Sequence, residues 1–301
     1  MWFRNLTLFR FQEPFTLSEH ELASRLEALR FRPCLSQEMA SYGWVSPQGR
    51  KGQELVYAVD GCMLLCLQTE AKVLPPAVLK EIVAERVAEI EEREGRNLRR
   101  KEKDQLKDEV LMDLLPRAFS RSRQSYAYID AKRGWLVVDA VGRKAVEELT
   151  GVLRKTLGSL PVVPPRVQEA PAAVMTGWLL QGELPIGIEL ADECELRAGG
   201  EEGGVVRCKG EDLVGEEIRT HLAAGKQVTR LALSWSERIG CVLGEDLSVR
   251  RLRFLDQVQE QLPTDAGADE AQRFDAELAL MTGELREFLP SLLEWFGGEV
   301  R

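Results

Sequence analysis

The chain has 301 residues, 44% hydrophobic and 30% charged, and 40 basic against 49 acidic side chains give it a net charge of −9. That length points to about two domains and a core that needs no metal or disulfide staple, and the apolar content excludes a wholly disordered chain. No apolar run reaches the roughly 18–20 residues of a membrane span, and the start, Met1 to Leu6, lacks the apolar stretch of a secretory leader. The expectation is a soluble, cytoplasmic protein without a membrane partner.

Trp2 to Phe11 alternates apolar and polar residues as a strand does, and Ser18 with Glu21 forms a capping box for a helix that places Leu22, Leu26 and Leu29 on one face. Trp44-Val45, Leu55 to Val59 and Met63 to Leu67 are strand candidates, punctuated by Pro47, Gly49, Asp60 and Gly61. Pro75-Pro76 opens an amphipathic helix through Val78, Leu79, Ile82, Val83, Val87 and Ile90, interrupted at Gly95. A second helix is predicted from Asn97 to Leu115, stopped by Pro116. Tyr126 to Ile129 and Leu136 to Asp139 read as a hairpin turning through Lys132-Arg133-Gly134, and Val146 to Leu157 as a helix ending at Gly158.

Leu160 to Pro165 is a stiff, proline-rich connector. With it as the main boundary, the expected division is an α/β segment over 1–75, a two-helix arm with hairpin and helix over 76–160, and an α+β region over 161–301. In the last, Met175 to Leu180 suggests a short helix, and a glycine-rich turn over 199–204 leads into Val205 to Cys208. Leu213 to Ala224 reads as helix, and Val228 to Trp235, Ile239 to Leu243 and Leu247 to Phe254 as an antiparallel meander. The terminal helix carries Phe274, Leu278, Met281, Leu285, Phe288, Leu292 and Trp295 at steps of four and three. That spacing fits either a coiled-coil seam or a stripe facing the core, and Gly283 and Pro290 favour the core.

The motifs of common enzyme classes are missing. Gly225-Lys226 lacks the rest of a phosphate-binding loop, and there is neither G-x-G-x-x-G nor G-x-S-x-G. The six cysteines are scattered, and His20 and His221 lie far from them in sequence, so free thiols and no metal or other cofactor are expected.

The sharper signal is cationic. Residues 256–301 hold eleven acidic side chains against three arginines, whereas Arg93 to Arg123 holds ten basic and six acidic ones. Local rather than total charge governs contact with a polyanion. Arg96, Arg99, Arg100, Lys103 and Lys107 fall within about a 100° arc of the second predicted helix, with Lys101 beside them, and Val110 and Leu114 continue the same arc. Such a stripe either engages successive phosphates or is a solvated face laced with Glu/Lys pairs. Arg117, Arg121 and Arg123 flank Phe119, which is either a core residue, a base-stacking ring or an anchor for another protein. Arg207, Lys209, Lys226, Arg230, Arg250, Arg251 and Arg253 add positive charge whose sharing of a face is open.

Several long blocks resemble the RdgC family, recombination-associated DNA-binding proteins of bacteria. They are Trp2 to Leu6, Phe31 to Cys34, Ser36 to Ala40, Gly43 to Val45, Glu102 to Leu111 and Leu114 to Arg121. Leu153 to Lys155, Leu157 to Pro164, Gln272 to Ala276 and Leu280 to Leu285 extend the likeness. The resemblance implies a mixed α/β, horseshoe-shaped, multi-subdomain subunit that pairs head-to-head and tail-to-tail into a closed dimeric ring. Its basic hole would admit duplex DNA without reading sequence, in the nucleoid, and restrain the RecA recombinase without catalysis or cofactor.

Carried over by position, the resemblance makes Phe119 a gating subunit contact and Lys226 a DNA contact. It makes Arg207 to Leu213, including Lys209, a protruding finger whose family pattern is departed from at Gly210 and Glu211. The competing expectation is an interaction module for the recombination machinery without DNA affinity, suggested by the acidic last segment and the seam-like helix.

Overall fold

A computed structural model describes residues 1–199, 203–262 and 269–300, whose twelve strands lie in two antiparallel sheets accompanied by eight α-helices. The first sheet contains β1 (Thr7–Phe11), β2 (Ala40–Val45), β3 (Val56–Val59), β4 (Cys62–Val73), β5 (Phe119–Asp130), β6 (Trp135–Val138) and β7 (Val162–Val163). Their order is β2-β4-β5-β6-β1-β7, with β3 also paired on β4. Helices α1 (Glu19–Glu27), α2 (Pro76–Glu94), α3 (Arg100–Leu114) and α4 (Arg143–Leu157) belong to this half. The second sheet, in the order β12-β11-β10-β8-β9, contains β8 (Ile188–Arg197), β9 (Val205–Lys209), β10 (Gln227–Trp235), β11 (Ile239–Gly244) and β12 (Val249–Phe254). With it go α5 (Pro171–Gln181), α6 (Glu216–Ala223), α7 (Asp256–Gln259) and α8 (Glu270–Glu294). The mixed α/β class read from the sequence is the class adopted.

Alternation along the strands of the first sheet splits its side chains between two cores. Leu65, Leu67, Ala127, Ile129, Leu136 and Val138 pack with Leu22 and Leu26 of α1 and Leu149, Val152 and Leu153 of α4. Leu8, Leu64, Tyr128, Trp135 and Val137 point the other way, into a larger core shared with Leu196, Leu231, Leu233 and Leu243 of the second sheet. The stripe of α8 fills that core: Leu278, Met281, Leu285, Phe288 and Leu292 are buried in it, with Phe274 and Trp295 packed at its margin. The terminal helix is therefore a central layer, and its apolar spacing is consumed inside the subunit.

Two ion pairs fix α8 between the sheets. On one side Arg286 Nε donates to Asp130 Oδ2 at 2.9 Å, and Asp130, 2% exposed, also accepts the Arg133 backbone N–H at 3.1 Å. Arg286 Nη2 reaches the carbonyl of Asp60 at 2.6 Å, in the β3–β4 turn. On the other side Arg238, in the β10–β11 turn, holds the buried carboxylate of Glu284, with Nε 2.7 Å from Oε2. The first residues tie the same elements: Leu6 and Val249 exchange both backbone hydrogen bonds, joining the segment before β1 to β12.

Local structure follows the predicted elements with instructive departures. Ser18 caps α1 as read, its Oγ accepting the Glu21 N–H while Glu21 accepts the Ser18 N–H, although Leu29 lies beyond the helix. The first strand covers Thr7 to Phe11 only, because Arg4 and Asn5 turn their N–H groups to Asp139 Oδ1. The second predicted helix begins at Arg100, not Asn97, and gives way at Leu115 to a 3-10 turn through Pro116 and Arg117. Arg99 is extended (φ −72°, ψ 157°), and the Glu102 carboxylate accepts its N–H as the helix starts.

The helix read over Leu213 to Ala224 is α6, which waits for Gly215 to supply an extended N-cap. The one read over Met175 to Leu180 begins earlier, at Pro171, whose missing N–H is harmless in a first turn. Of the glycine-rich turn, residues 200–202 lie outside the described part of the chain. All six cysteines are free, and burial pushes the thiols of Cys62, Cys66, Cys194 and Cys241 up to about 12.

Removing one partner of a buried ion pair strands the other's charge, at a cost of about 3–5 kcal/mol. Asp130→Ala is therefore expected to lower unfolding free energy by roughly that amount in denaturant titrations, with no change in far-ultraviolet dichroism. A loss below about 1 kcal/mol would show that α8 is held by apolar packing alone.

Candidate nucleic-acid interface

The second sheet uses its two faces differently. Cys194, Leu196, Val206, Cys208, Leu231, Leu233, Leu243 and Leu252 point into the large core, as do buried residues of α5, α6, α7 and α8. Alternation sends the intervening residues to the opposite face, and there the register lines up basic side chains.

One row reads Arg207–Glu195–Arg230–Gly244, and a neighbouring pairing places Arg250 beside Val242 and Ala232. Lys209 stands opposite Glu193, Arg253 opposite Gly240, and Arg197 between Val205 and Gln227. The cations whose shared face the sequence left open are thus neighbours on one face. Among the described residues, Arg253, Lys209 and Lys226 form no ion pair, and the buried Arg250 Nε has no hydrogen-bond partner.

Glu195 organises this face. Its carboxylate, 5% exposed, accepts Arg207 Nε at 2.8 Å and Arg230 Nη1 at 3.1 Å on one oxygen, with Arg197 Nη2 3.8 Å from the other. The bulge residue Thr229 adds its hydroxyl at 3.4 Å. Burial alone would raise the carboxyl, but the Arg207 hydrogen bond and the charges of Arg230 and Arg207 outweigh it and hold it below the usual carboxylate range. Arg251 is similarly tied to Glu193 at 2.5 Å. Arg207 and Arg251 are thus braced by carboxylates while remaining 75% and 47% exposed.

Lys226 follows Gly225, whose φ of 86° turns the chain from α6 into β10. It enters next to Gln227, which pairs with Arg197, about 13 Å along β8 from the position facing Lys209. The segment Arg207 to Leu213, expected to protrude as a finger, begins as part of the second sheet. Arg207, Cys208 and Lys209 form an edge strand hydrogen-bonded to β8, and the chain turns at Gly210, whose N–H bonds to Asp192.

The arm is a second basic region. Helices α2 and α3 pack chiefly on each other, and α2 has no fully buried residue. The five-residue stripe does not share one open face. Arg96 lies before α3 and is held by Glu102 (2.6 Å) and Glu94 (2.8 Å), while Lys103 turns to Glu91 of α2 at 3.1 Å. These pairs form because α3 folds back on an acidic α2, which the period of α3 alone did not reveal. Arg99, Arg100, Lys101 and Lys107 are exposed and, among the described residues, form no ion pair.

Arg117 is exposed at the 3-10 turn, Arg121 is exposed on β5, and Arg123 is engaged by Glu148 of α4 at 2.6 Å. Phe119 opens β5 opposite Val73 and is 86% exposed, which excludes it from the core of the subunit. Among the described residues no three His, Cys, Asp or Glu side chains are grouped as metal ligands, and no helix is long and apolar enough to cross a membrane.

Residues 1–299 match the family described as "Putative exonuclease, RdgC". The chain is 48% identical over 299 residues to the recombination-associated protein RdgC of Tolumonas auensis, with 99% of each chain covered. It is 46% identical over 299 residues to that of Aeromonas hydrophila and 45% identical to that of Psychromonas ingrahamii, again with 99% of each chain covered. The chain belongs to the RdgC family, whose curated members bear the name of recombination-associated proteins.

A carboxylate held below its ordinary value stabilises the fold above that ordinary value, and the contribution fades as pH falls through the depressed one. Glu195→Gln is thus expected to lower Tm at neutral pH, with the gap from the parent protein closing as pH falls below about 4. A gap independent of pH would remove Glu195 from the bracing role.

Proposed function

We propose that the protein binds duplex DNA without reading sequence, closes around it as a homodimeric ring of horseshoe-shaped subunits, and restrains RecA-dependent recombination in the nucleoid. The observation that carries this reading is the arginine-rich outer face of the second sheet. Spaced guanidinium groups on a rigid sheet contact backbone phosphates and release counterions, a source of affinity blind to base sequence. The exposed cations of α3 add contacts of the same kind. A net charge of −9 is no obstacle, because local rather than total charge governs contact with a polyanion.

The exposed Phe119, at the far end of the β4–β5 ribbon beside Val73, supplies an apolar anchor of the kind that holds one subunit to another, and its loss would open the ring there. The interaction-module alternative loses one support, because the seam of α8 is spent in the core. We assign no hydrolytic role despite the wording of the family description, because the described carboxylates of the basic face, Glu193 and Glu195, are engaged by arginines rather than free to position a water or a metal on a phosphodiester.

Topology gives the test. Protein loaded at low salt on nicked circular duplex and then washed in about 0.5 M salt, where exposed charge contacts are strongly screened, is expected to stay on circles and slide off linear DNA. Phe119→Ala is expected to lose the circle-specific retention and to lower the dimer fraction. The circles should be recovered uncut after incubation with Mg2+. Equal loss from circles and linear DNA would contradict encirclement, and shortened DNA would contradict the non-catalytic reading.

A further inference from the structure

A separate basic cleft of about 810 Å³ lies at the β7 edge of the first sheet. Lys132 and Arg133 of the β5–β6 turn line one side, and Pro164, Pro165 and Arg166 of the connector line the other. Its apolar surface comes from Phe11, Ala131, Val163 and Val300. Lys132, Arg133 and Arg166 form no ion pair among the described residues, and the Arg133 guanidinium donates through Nη1 to the Arg286 carbonyl at 2.6 Å. The cleft shares no lining residue with the arginine face of the second sheet, so the two can be tested separately.

One wall shows what chemistry the cleft takes. Residues 299–300 run extended along the connector, Glu299 bridging to Val167 and the Val300 N–H bonding to the Arg166 carbonyl at 2.8 Å. Glu299 sends its carboxylate into the fork of Arg10, with Nε–Oε1 at 2.7 Å and Nη2–Oε2 at 2.5 Å. Arg10 is itself fixed by stacking on Trp135, 3.7 Å from the ring centroid, and by a bond to the Arg133 carbonyl. An extended acidic-apolar segment, backbone-paired on one side and gripped by a planar guanidinium, is thereby already seated in the cleft by the chain itself, and the remaining cations extend the same pattern beyond it.

We infer that this cleft binds an extended acidic peptide of a partner protein, its carboxylates on Lys132, Arg133 and Arg166 and its apolar side chains on Phe11 and Val163. A nucleic-acid strand fits less well. Trp135 is 4% exposed beneath Arg10 and does not line the cleft, and proline walls with an apolar floor suit side chains rather than a hydrated sugar–phosphate chain.

The test uses the full protein and a fluorescein-labelled decapeptide of alternating Glu and Val, with a Gln/Val peptide as control. Anisotropy titrations at low salt are expected to show binding at least tenfold tighter for the acidic peptide. Lys132→Glu combined with Arg166→Glu is expected to weaken it at least tenfold while leaving affinity for random duplex within about twofold. Both side chains are exposed, and an unchanged Tm would confirm folding. Absence of peptide binding, equal binding of the two peptides, or unchanged affinity in the double variant would overturn the inference. Displacement of the peptide by short duplex at the duplex's own binding concentration would assign the cleft to nucleic acid and overturn it equally.

Discussion

The structure depends on α8 being buried on two sides. A helix with an apolar stripe normally faces one core, but this one is pressed between two sheets and pinned to each by an ion pair, Arg286–Asp130 on the first and Glu284–Arg238 on the second. Burial of Leu278, Met281, Leu285, Phe288 and Leu292 commits one face of each sheet to this helix. The first sheet covers its other face with α1 and α4. Among the described residues, the helices that accompany the second sheet, α5, α6, α7 and α8, all contribute their buried residues to its inner side. An uncovered antiparallel sheet needs a polar face, and here that face is built of arginine and lysine. The basic surface thus follows from the same packing that makes the core.

Charge on such a face has to be placed without disrupting the sheet beneath. Like charges opposite one another across a ladder repel, and the buried Glu195 relieves that repulsion where Arg207 and Arg230 flank it. Glu193 does the same for Arg251 and, by position, for Lys209. The arm solves the problem differently. There Glu91, Glu94 and Glu102 absorb Lys103 and Arg96, leaving Arg99, Arg100, Lys101 and Lys107 free of ion pairs among the described residues. Counting cations along a helix overstated the open charge of α3, while counting them along strands understated that of the second sheet.

Much of the fold was legible in the sequence, and its failures have physical causes. Elements with one buried face, such as α1, α4 and the β10–β12 meander, declare themselves by periodicity, as does the apolar stripe of α8. The first half of β5, Phe119 to Gln124, did not, because Ser120, Arg121, Ser122 and Arg123 are exposed and carry no apolar alternation. That stretch is a strand because β4 supplies a continuous ladder out to Val73. The shared basic face was hidden for another reason. Alternation tells which residues of one strand point together, but not how strands align, and the irregularities near Thr229 and at Arg251, where φ is 49°, shift the parity within β10 and β12.

The central claim is that the outer face of the second sheet meets DNA phosphates. The direct measurement is duplex binding across a salt series for the parent protein and for Arg250→Glu combined with Arg253→Glu. Each phosphate neutralised contributes about −0.9 to the slope of log K against log salt. The account predicts a steep parent slope, and for the double variant at least tenfold weaker binding at low salt with a slope shallower by about one to two. Identical affinity and slope for the two proteins, with the variant folded, would place the DNA contact elsewhere and contradict the account.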